Sequence, residues 1–359
     1  MESGCELNMS YQTEESKRCL ERLREMQKEL PPFTVSFFRA INDTTAPRTR
    51  VAYAADLKIF FRYLVDECPK FGGIDIIELT LHDLAAINAD DIEGYMEYLS
   101  LYSKERDGVK IDIQNNARGK SRKLAAIRTM FAYYFKKGNI ESNPADRVDF
   151  PKLNKRTVTR LEANEVADFL DEVESGENLT ERSQKFHALT AKRDLALTTL
   201  LLGTGMRVSE CVGIDLTDID FHSNSVRVVR KGGDEALLYF GKEVENALKD
   251  YIKQREEITT KEGHENALFL SLQNKRITTR AVQNLVKKYA ATVTPLKKIS
   301  PHKLRSTYAT NLYMETGDIY LVADTLGHSD INTTAKHYAK IVDERKRQAA
   351  RHIVLREEQ

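Results

Sequence analysis

Six side chains of four chemical types follow one another in an order that suits the attack of a tyrosine on a phosphodiester. They are Arg207, Lys231, His302, Arg305, His328 and Tyr338. An arginine guanidinium donates two parallel hydrogen bonds to non-bridging phosphate oxygens and stays charged at every relevant pH. The phenol of a tyrosine has an unperturbed pKa of about 10, so it attacks well only when a base or a cationic field assists it. The set therefore predicts strand cleavage by a tyrosine nucleophile.

Each of these residues taken alone has a simpler interpretation. Arg207 and Glu210 lie three residues apart, and such pairs are usually ion pairs on a helix surface. A lysine in a turn is usually solvated, a lone His-x-x-Arg is a weak motif, and a tyrosine such as Tyr338 is more often a core residue. The presence of all six residues in one order favours the catalytic interpretation, in which Glu210 supports Arg207.

The first two candidates lie where the sequence predicts breaks between elements. Gly203-Thr204-Gly205 interrupts an apolar helix, and a new helix from about Met206 would carry Arg207 in its first turn. Residues 225–240 alternate as in a β-hairpin, with a glycine pair at the turn. Lys231 would then lie at the hairpin tip, where it could protonate the leaving 5′ oxygen.

A second pair of candidates lies at the start of a predicted helix. Ser300 can cap this helix, and Pro301 fits its first position. His302 and Arg305 then lie three residues apart on one face of the opening turn. A phosphate bound there would also be stabilised by the helix N-terminus.

Length and composition exclude several classes of protein. The chain has 359 residues, of which 41% are hydrophobic and 30% charged, enough for a buried core and two domains. It has no run of about 18 apolar residues and begins with a polar segment, so we expect neither a membrane span nor secretion, and the cytoplasm is the default location. Its 4 cysteines form no C-x-x-C pair and predict neither a disulfide framework nor a zinc site.

Net charge gives no indication of a nucleic-acid partner, because 55 basic and 54 acidic residues leave a charge of +1. Basic residues are instead clustered, which suits one basic concave face and an acidic back, although an ordinary mixed surface is equally compatible with this pattern. The residues that we predict to contact DNA are Arg118, Lys120, Arg122, Lys123, Arg128, Lys155, Arg156, Arg276, Arg280 and Lys287.

Residue periodicity predicts a mainly α protein with a small antiparallel β-sheet, in two domains. We expect residues 1–30 to form a peripheral helix and residues 31–142 an all-helical bundle, with helices from about 47, 90 and 116. A polar, basic linker with two prolines spans 143–157. Residues 158–342 form the second domain, with helices from about 162, 242, 278, 302, 319 and 331, and residues 343–359 form a C-terminal helix.

These motifs resemble those of the tyrosine recombinase (phage integrase) family, in particular its Xer-like members, whose signature runs Arg…Lys…His-x-x-Arg…His/Trp…Tyr. The resemblance covers about residues 30–345 and is more specific in the second domain. One departure is Ser306, where many members have a second histidine. The matching segments, which include the six residues, are Arg193-Asp194-Leu195, Gly203 to Glu210, Asp215-Leu216, Arg230-Lys231-Gly232-Gly233, Pro301 to Thr310, and Leu326-Gly327-His328-Ser329 to His337-Tyr338.

The resemblance implies a helical core-binding domain that precedes a mixed α/β catalytic domain. It also implies that Arg207 and Arg305 clamp the scissile phosphate and that Lys231 is the general acid for the 5′ oxygen. Because a phosphotyrosine conserves the energy of the broken bond, the family needs no metal and no other cofactor. Stabilisation of the transition state is then mainly electrostatic.

The resemblance assigns the remaining residues and the partners as well. His302 would serve in proton transfer, His328 would donate to a phosphate oxygen, and Tyr338 would form the 3′-phosphotyrosyl link. The implied partner is double-stranded DNA with a specific recombination site, bound by a homo-tetramer on paired sites, and a membrane is not an expected partner. Residues 343–359 would dock on the neighbouring subunit or only cap their own domain. A DNA translocase or another accessory protein is a further candidate partner.

Within this family we expect a site-specific recombinase of Xer type that resolves chromosome dimers. An integrase or invertase of a mobile element is the alternative. A type IB topoisomerase would share the chemistry but relax DNA without a partner strand. A catalytically silent protein of the same fold would bind DNA without cleaving it, but the intact set of six residues argues against such a relative.

Overall fold

The computed structural model describes residues 11–106, 108–153, 159–230 and 232–327. They form two compact units that divide between residues 156 and 157. The predicted helices from residues 331 and 343 lie outside the described residues. So do five of the predicted site residues, namely Lys155, Arg156, Lys231, His328 and Tyr338.

The first unit is a helical bundle with one short hairpin. Pro47 lies in the first turn of its longest helix, and Thr80 and Asn88 begin two shorter helices as the first residues of capping boxes. The elements are α1 (Tyr11–Gln27), α2 (Thr34–Ala40), α3 (Pro47–Glu67), α4 (Leu81–Ala86), α5 (Ala89–Tyr98), β1 (Tyr102–Arg106), β2 (Val109–Ile113) and α6 (Ala117–Lys136).

The core of the first unit is aromatic. The side chains of Phe37, Phe60, Phe61, Tyr95 and Phe131 are at most 1% exposed. Phe60 of α3 lies edge-on to Tyr95 of α5, with ring centroids 5.1 Å apart. The apolar faces that the helical period predicts for α3, α5 and α6 therefore meet in one core.

A hairpin separates α5 from α6, so the expectation of an all-helical bundle is wrong at this point. Strands β1 and β2 pair antiparallel, from Tyr102 opposite Ile113 to Arg106 opposite Val109. The apolar side chains of Val109 and Ile111 are exposed. The sequence nevertheless contains a hairpin signal that the interpretation missed, because Asp107-Gly108 is a typical two-residue turn and the residues Val109, Ile111 and Ile113 alternate with polar ones.

The predicted linker begins with a segment that packs on the first unit. Residues Pro144–Arg147 form a 3-10 turn, and Ala145 and Val148 are at most 4% exposed. Arg128 of α6 donates to the carbonyl oxygens of both residues. The first of the two prolines therefore marks a packed turn instead of an extended chain.

The second unit contains helices and one three-stranded antiparallel sheet of order β3-β4-β5. Strands β4 and β5 pair from Ser225 opposite Tyr239 to Val229 opposite Glu235. No helix among the described residues of either unit is long and apolar enough to cross a membrane. The elements are α7 (Ala163–Ser175), α8 (Glu181–Thr204), α9 (Val208–Gly213), β3 (Ile219–Asp220), β4 (Ser225–Val229), β5 (Glu235–Tyr239), α10 (Lys242–Glu256), α11 (Thr279–Val293), α12 (Pro301–Thr316) and α13 (Ile319–Leu326).

Helix α8 is the longest element of the second unit, and α7, α10 and α12 pack against it. It approaches α10 closely at Gly203, where a Cβ would lie 2.6 Å from a methyl carbon of Val244. Helix α13 packs on α12 through a small apolar cluster that includes Ala309, Val322 and Leu326. These contacts bring the end of α8, the start of α12 and the end of α13 close together.

Candidate active site

Gly205 ends α8 and turns the chain toward Arg207. Its φ of +65° lies in the left-handed region, and a Cβ there would lie 2.2 Å from a ring carbon of Tyr308. Backbone conformation and packing both require glycine at this position. The Gly205 carbonyl oxygen accepts a 2.7 Å hydrogen bond from Nη1 of Arg305. The residue that ends α8 therefore also holds a predicted catalytic arginine.

Arg207 caps α9 instead of lying in its first turn. The helix begins at Val208, two residues later than expected, and Arg207 has extended backbone angles of φ −75° and ψ 149°. Glu210 accepts hydrogen bonds from the backbone N–H and from Nη1 of Arg207, both at 2.7 Å. The side chain of Glu210 is 4% exposed and that of Arg207 is 32% exposed. A buried carboxylate therefore orients a guanidinium that still reaches solvent.

Arg305 lies buried between the carbonyl ends of two helices. The residue is 5% exposed. Its Nη1 donates to Gly205 at the end of α8, and its Nη2 donates to the carbonyl oxygen of Leu326, the last residue of α13. A helix C-terminus carries partial negative charge, so both ends stabilise the guanidinium. Because both terminal nitrogens are held, the plane of the fork is fixed.

The start of α12 differs in one detail from the expectation. Pro301 is in the first turn as predicted, but the side chain of Ser300 makes no capping hydrogen bond. The Ser300 carbonyl oxygen instead accepts hydrogen bonds from the backbone N–H groups of Lys303 and Leu304. His302 is exposed on the opening turn, one turn before the buried Arg305. The imidazole can therefore meet a ligand from solvent.

Three arginines converge on the last turn of α13 and on the glycine that follows it. Each donates to a backbone carbonyl oxygen, and together they bind four consecutive carbonyl groups. The sequence interpretation named two of these arginines and missed the third, because nothing in a sequence shows which helix end a hairpin residue will reach. The pairs are Arg230 with Asp324 and Thr325, Arg305 with Leu326, and Arg207 with Gly327.

This arginine centre lies in a segment of the chain that has relatives. The sequence model of the phage integrase family matches residues 159–345. The tyrosine recombinase XerC of Caldanaerobacter subterraneus subsp. tengcongensis is 33% identical over 340 residues, which cover 91% of this chain and 88% of that protein. The chain belongs to the phage integrase family. It is a tyrosine recombinase of the Xer type, an enzyme of site-specific recombination that acts by transesterification of DNA strands.

The recombinase is also similar in fold to solved structures. One is the XerH site-specific recombinase bound to palindromic difH substrate, which is 19% identical with a TM-score of 0.60 and covers 86% of this chain and 80% of that one. Another is the Tn1549 transposon integrase in complex with circular intermediate DNA, which is 18% identical with a TM-score of 0.61 and covers 85% of this chain and 93% of that one. Both support the predicted recombinase architecture.

Three of the six catalytic candidates of the recombinase, Lys231, His328 and Tyr338, lie outside the described residues, and their roles stay predictions. Two of them directly follow described residues that lie in contact. Lys231 follows Arg230, and His328 follows Gly327. A Cβ at Gly327 would lie 2.5 Å from Nη1 of Arg230. The chain positions that precede the predicted general acid and the second histidine are therefore close in space.

The predicted DNA contacts on α6 of the recombinase divide into exposed and buried residues. Arg118 is exposed, whereas Lys123 is 5% exposed and donates to Oδ1 of Asn115 at 3.0 Å. Lys123 and Arg122 also form ion pairs with the buried carboxylate of Asp56. Burial raises the pKa of Asp56, although both cations oppose the shift, and burial lowers the pKa of Lys123. Lys123 therefore braces the first unit in this structure.

Two more basic residues of α6 tie the helix to neighbouring segments. The ammonium group of Lys120 donates to the carbonyl oxygen of Met96 at 2.7 Å and to the hydroxyl of Ser100 at 2.6 Å. The guanidinium of Arg128, which binds the carbonyl groups after α6, also lies 4.3 Å from the ring centroid of Phe150. Both side chains therefore have partners within the protein.

Arg276, just before α11, is also turned inward. Its Nη1 donates to the carbonyl oxygens of Val212 at 3.1 Å and Ile214 at 2.9 Å, and its Nη2 pairs with Asp215. This guanidinium joins the end of α9 to the segment that leads into α11. Its geometry indicates a structural role, which the basic cluster in the sequence does not reveal.

Helix α11 carries a polar face toward solvent. Arg280 and Lys287 are exposed, and the exposed Gln283 and Asn284 lie between them at helical spacing. The opposite face contains the buried residues Val282, Leu285, Val286 and Tyr289. The sequence interpretation named the two basic residues and missed the two amides, although counting three, four and seven residues onward from Arg280 would have found the whole face.

Proposed function

We propose that Arg207 and Arg305 hold the scissile phosphate of a DNA strand while Tyr338 attacks its phosphorus. The observation that supports this most directly is that the two arginines, from separate elements, bind the adjacent carbonyl oxygens of Leu326 and Gly327. A guanidinium has five N–H donors, so one that is held by a carbonyl group can still bind phosphate oxygens. Two cations oriented before DNA arrives stabilise the charge that develops on the phosphate.

The proposed reaction exchanges one phosphate ester bond for another. The Oη of Tyr338 bonds to phosphorus, and the bond from phosphorus to the 5′ oxygen breaks. The phenol proton passes to a base, with His302 serving in this transfer, and the leaving oxygen takes a proton from Lys231. His328 donates a hydrogen bond to a phosphate oxygen. The 5′-hydroxyl of a partner strand then attacks the phosphotyrosine and releases the enzyme.

The exposed face of α11 supplies the proposed DNA-reading surface. The guanidinium of Arg280 suits the acceptor edge of guanine, and the amides of Gln283 and Asn284 suit adenine in the major groove. Lys287 would bind the phosphate backbone at the end of this face. Further phosphate contacts are proposed for the exposed residues Arg118 and Arg122 and for the linker residues Lys155 and Arg156.

The biological role that we propose is the resolution of chromosome dimers by a homo-tetramer on two paired sites. The similarity to XerC of Caldanaerobacter subterraneus subsp. tengcongensis over 91% of the chain supports it. The proposal includes a cytoplasmic location, docking of residues 343–359 on the neighbouring subunit, and a DNA translocase or accessory protein as a candidate partner. Integration or inversion of a mobile element is the second candidate, because the fold is as similar to the Tn1549 transposon integrase as to XerH.

A nicked suicide duplex tests the chemistry. The duplex carries a target site selected from random DNA. The nick lies close to the cleavage position, so the short fragment that carries the released 5′-hydroxyl diffuses away and cannot reverse the reaction. We expect the enzyme to form a covalent adduct that survives denaturation, and Tyr338→Phe to bind the duplex without forming it. Peptide mapping should locate the nucleotide on Tyr338. An undiminished adduct in the variant would exclude this residue as the nucleophile.

A plasmid assay tests the role. A supercoiled plasmid with two directly repeated copies of the selected site should yield two circles, whereas a plasmid with one copy should yield none. Relaxation of a plasmid that lacks the site would indicate a topoisomerase. Joining of a circular donor to an unrelated recipient sequence would favour integration of a mobile element over dimer resolution.

A further inference from the structure

A third arginine of the centre, Arg230, has no part in the proposed reaction. Its backbone closes the hairpin turn, because its N–H donates to Asp234 at 2.7 Å and its carbonyl oxygen accepts from Gly233 at 3.1 Å. Its side chain leaves the hairpin and reaches α13. There Nη2 donates to the carbonyl oxygen of Thr325 at 3.0 Å, and both terminal nitrogens lie 3.3 Å from that of Asp324. Arg230 therefore clamps the hairpin to a helix end.

The guanidinium of Arg230 also fills the space beside Gly327. A Cβ at this glycine would lie 2.5 Å from Nη1, 2.7 Å from Cζ and 2.9 Å from Cδ of the arginine, and the glycine has a left-handed φ of +60°. The guanidinium of Arg230 therefore packs directly against the turn at Gly327, where only glycine leaves room for it. The next two carbonyl groups of the chain, those of Leu326 and Gly327, accept hydrogen bonds from Arg305 and Arg207.

We propose that Arg230 is a positioning residue that fixes Arg207 and Arg305 through the end of α13. This role rests on the proposed function of those two arginines as the phosphate clamp. The last carbonyl groups of a helix have no partner within the helix, so their direction depends on the groups that bind them from outside. Three guanidinium groups set that direction here. Loss of one lets the helix end turn, and the other two arginines turn with it.

A displacement of this kind has a large effect on rate, because an error of about 1 Å in a catalytic group lowers the rate by about 100-fold. DNA affinity has a different source, since it depends on many phosphate and base contacts spread over the protein surface. The loss of Arg230 should therefore slow cleavage without weakening binding. A residue that only caps α13 would instead lower the stability of the fold without changing the chemistry of bound DNA.

The first experiment compares Arg230→Ala and Arg230→Gln with Arg227→Ala. Arg227 lies on β4 of the same hairpin, but its guanidinium pairs with Asp218 and Glu235, away from α13. On the suicide duplex we expect both Arg230 variants to form the covalent adduct about 10–100-fold more slowly under single turnover. Their dissociation constants for DNA should stay within about twofold of the parent enzyme, and Arg227→Ala should match the parent in both measurements.

The second experiment asks whether Arg230 acts through the phosphate clamp. A methylphosphonate at the scissile position lacks one charged non-bridging oxygen, so the reaction depends less on the arginines that neutralise it. We expect the deficit of Arg230→Gln to shrink about tenfold or more on this substrate, as should that of Arg207→Ala. An equal deficit on both substrates would overturn the proposal. So would a deficit that shrinks only on a 5′-bridging phosphorothiolate, whose sulfur leaves without a proton, since Arg230 would then act through the general acid.

Arg207→Ala keeps this proposal distinguishable from the proposed function. If its deficit does not shrink on the methylphosphonate, the phosphate clamp itself is wrong, and the role of Arg230 fails with it. If the deficit of Arg207→Ala shrinks on the methylphosphonate and that of Arg230→Gln does not, only the positioning role fails. Thermal unfolding of Arg230→Gln completes the test, because a lower midpoint with cleavage of bound DNA at the parent rate would show a structural cap and nothing more.

Discussion

The arginine centre at the end of α13 and the polar face of α11 use cationic side chains in opposite ways. Arg305 is 5% exposed, and carbonyl groups at the ends of two helices hold its fork. Arg280 and Lys287 lie exposed on one helix face. A buried cation with fixed partners has little freedom left to lose when a transition state forms. An exposed cation attracts DNA from a distance but orients weakly.

Helix α6 shows a third use of the same residue types. Lys123 and Arg128 resemble DNA contacts in the sequence, yet one is buried beside Asp56 and the other binds the carbonyl groups of the segment after the helix. Charge sign alone therefore does not identify a DNA contact. The surroundings of each cation decide whether it catalyses, recognises or braces the fold, and these three uses predict three different losses on mutation.

Arg305→Ala should give the largest effect. Removal of a held guanidinium from the proposed phosphate site should slow adduct formation about 100–1000-fold, while DNA affinity changes about threefold or less. Arg305→Lys is the matched variant, because it keeps the charge and loses the planar fork, and it should remain slow. Single-turnover cleavage and gel-shift titration measure the two quantities. Equal losses of cleavage and binding would mean that Arg305 only anchors DNA.

Arg280→Ala should give a smaller effect of the opposite kind. Loss of the proposed base contact should weaken binding to the selected site by about 1–3 kcal/mol and relax the preference at one base pair. Cleavage at saturating enzyme should be unchanged. Lys253→Ala is the control, since Lys253 is an exposed lysine of α10 near Asp250 and outside the polar face of α11. A loss of cleavage at saturating enzyme would show that α11 contributes to catalysis. The contrast between the arginine centre and the polar face of α11 would then be wrong.

The sequence predicted the main helices because their apolar spacing is strong. The long helix from Pro47 and the helix that ends at Gly205 follow from period and terminating residues. The interpretation missed the hairpin between α5 and α6, although Asp107-Gly108 and the alternation of Val109, Ile111 and Ile113 with polar residues are the local signal of one.

The candidate site was predictable in its residues and not in its contacts. The spacing from His302 to Arg305 fixes their shared helix turn, and the two hydrogen bonds that Arg207 donates to Glu210 depend only on neighbours in the chain. The clamp of Arg230 on Thr325 joins positions 95 residues apart. No local rule contains such a contact, because it depends on how the hairpin and α13 pack.

Lys123→Met should give an effect of a third kind, which appears in the stability of the fold and leaves the function of the protein nearly unchanged. The change removes a cation from the buried carboxylate of Asp56 and should lower the free energy of unfolding by about 1–3 kcal/mol, with DNA affinity nearly unchanged. Chemical denaturation and gel-shift titration measure the two quantities. Lys136→Met, an exposed change on the same helix, should have no effect on stability beyond about 0.5 kcal/mol.

The pH dependence of the Lys123→Met deficit follows from Asp56. Burial already raises the pKa of this carboxyl, and Lys123 opposes that shift, so the pKa should rise further in the variant. A carboxyl whose folded pKa exceeds its unfolded value contributes stability below the unfolded pKa and loses it as pH rises through the folded pKa. The deficit should therefore be larger at about pH 7 than at about pH 4. A stability deficit that is constant with pH, or a loss of DNA affinity without a loss of stability, would contradict the structural role and indicate that Lys123 contacts DNA.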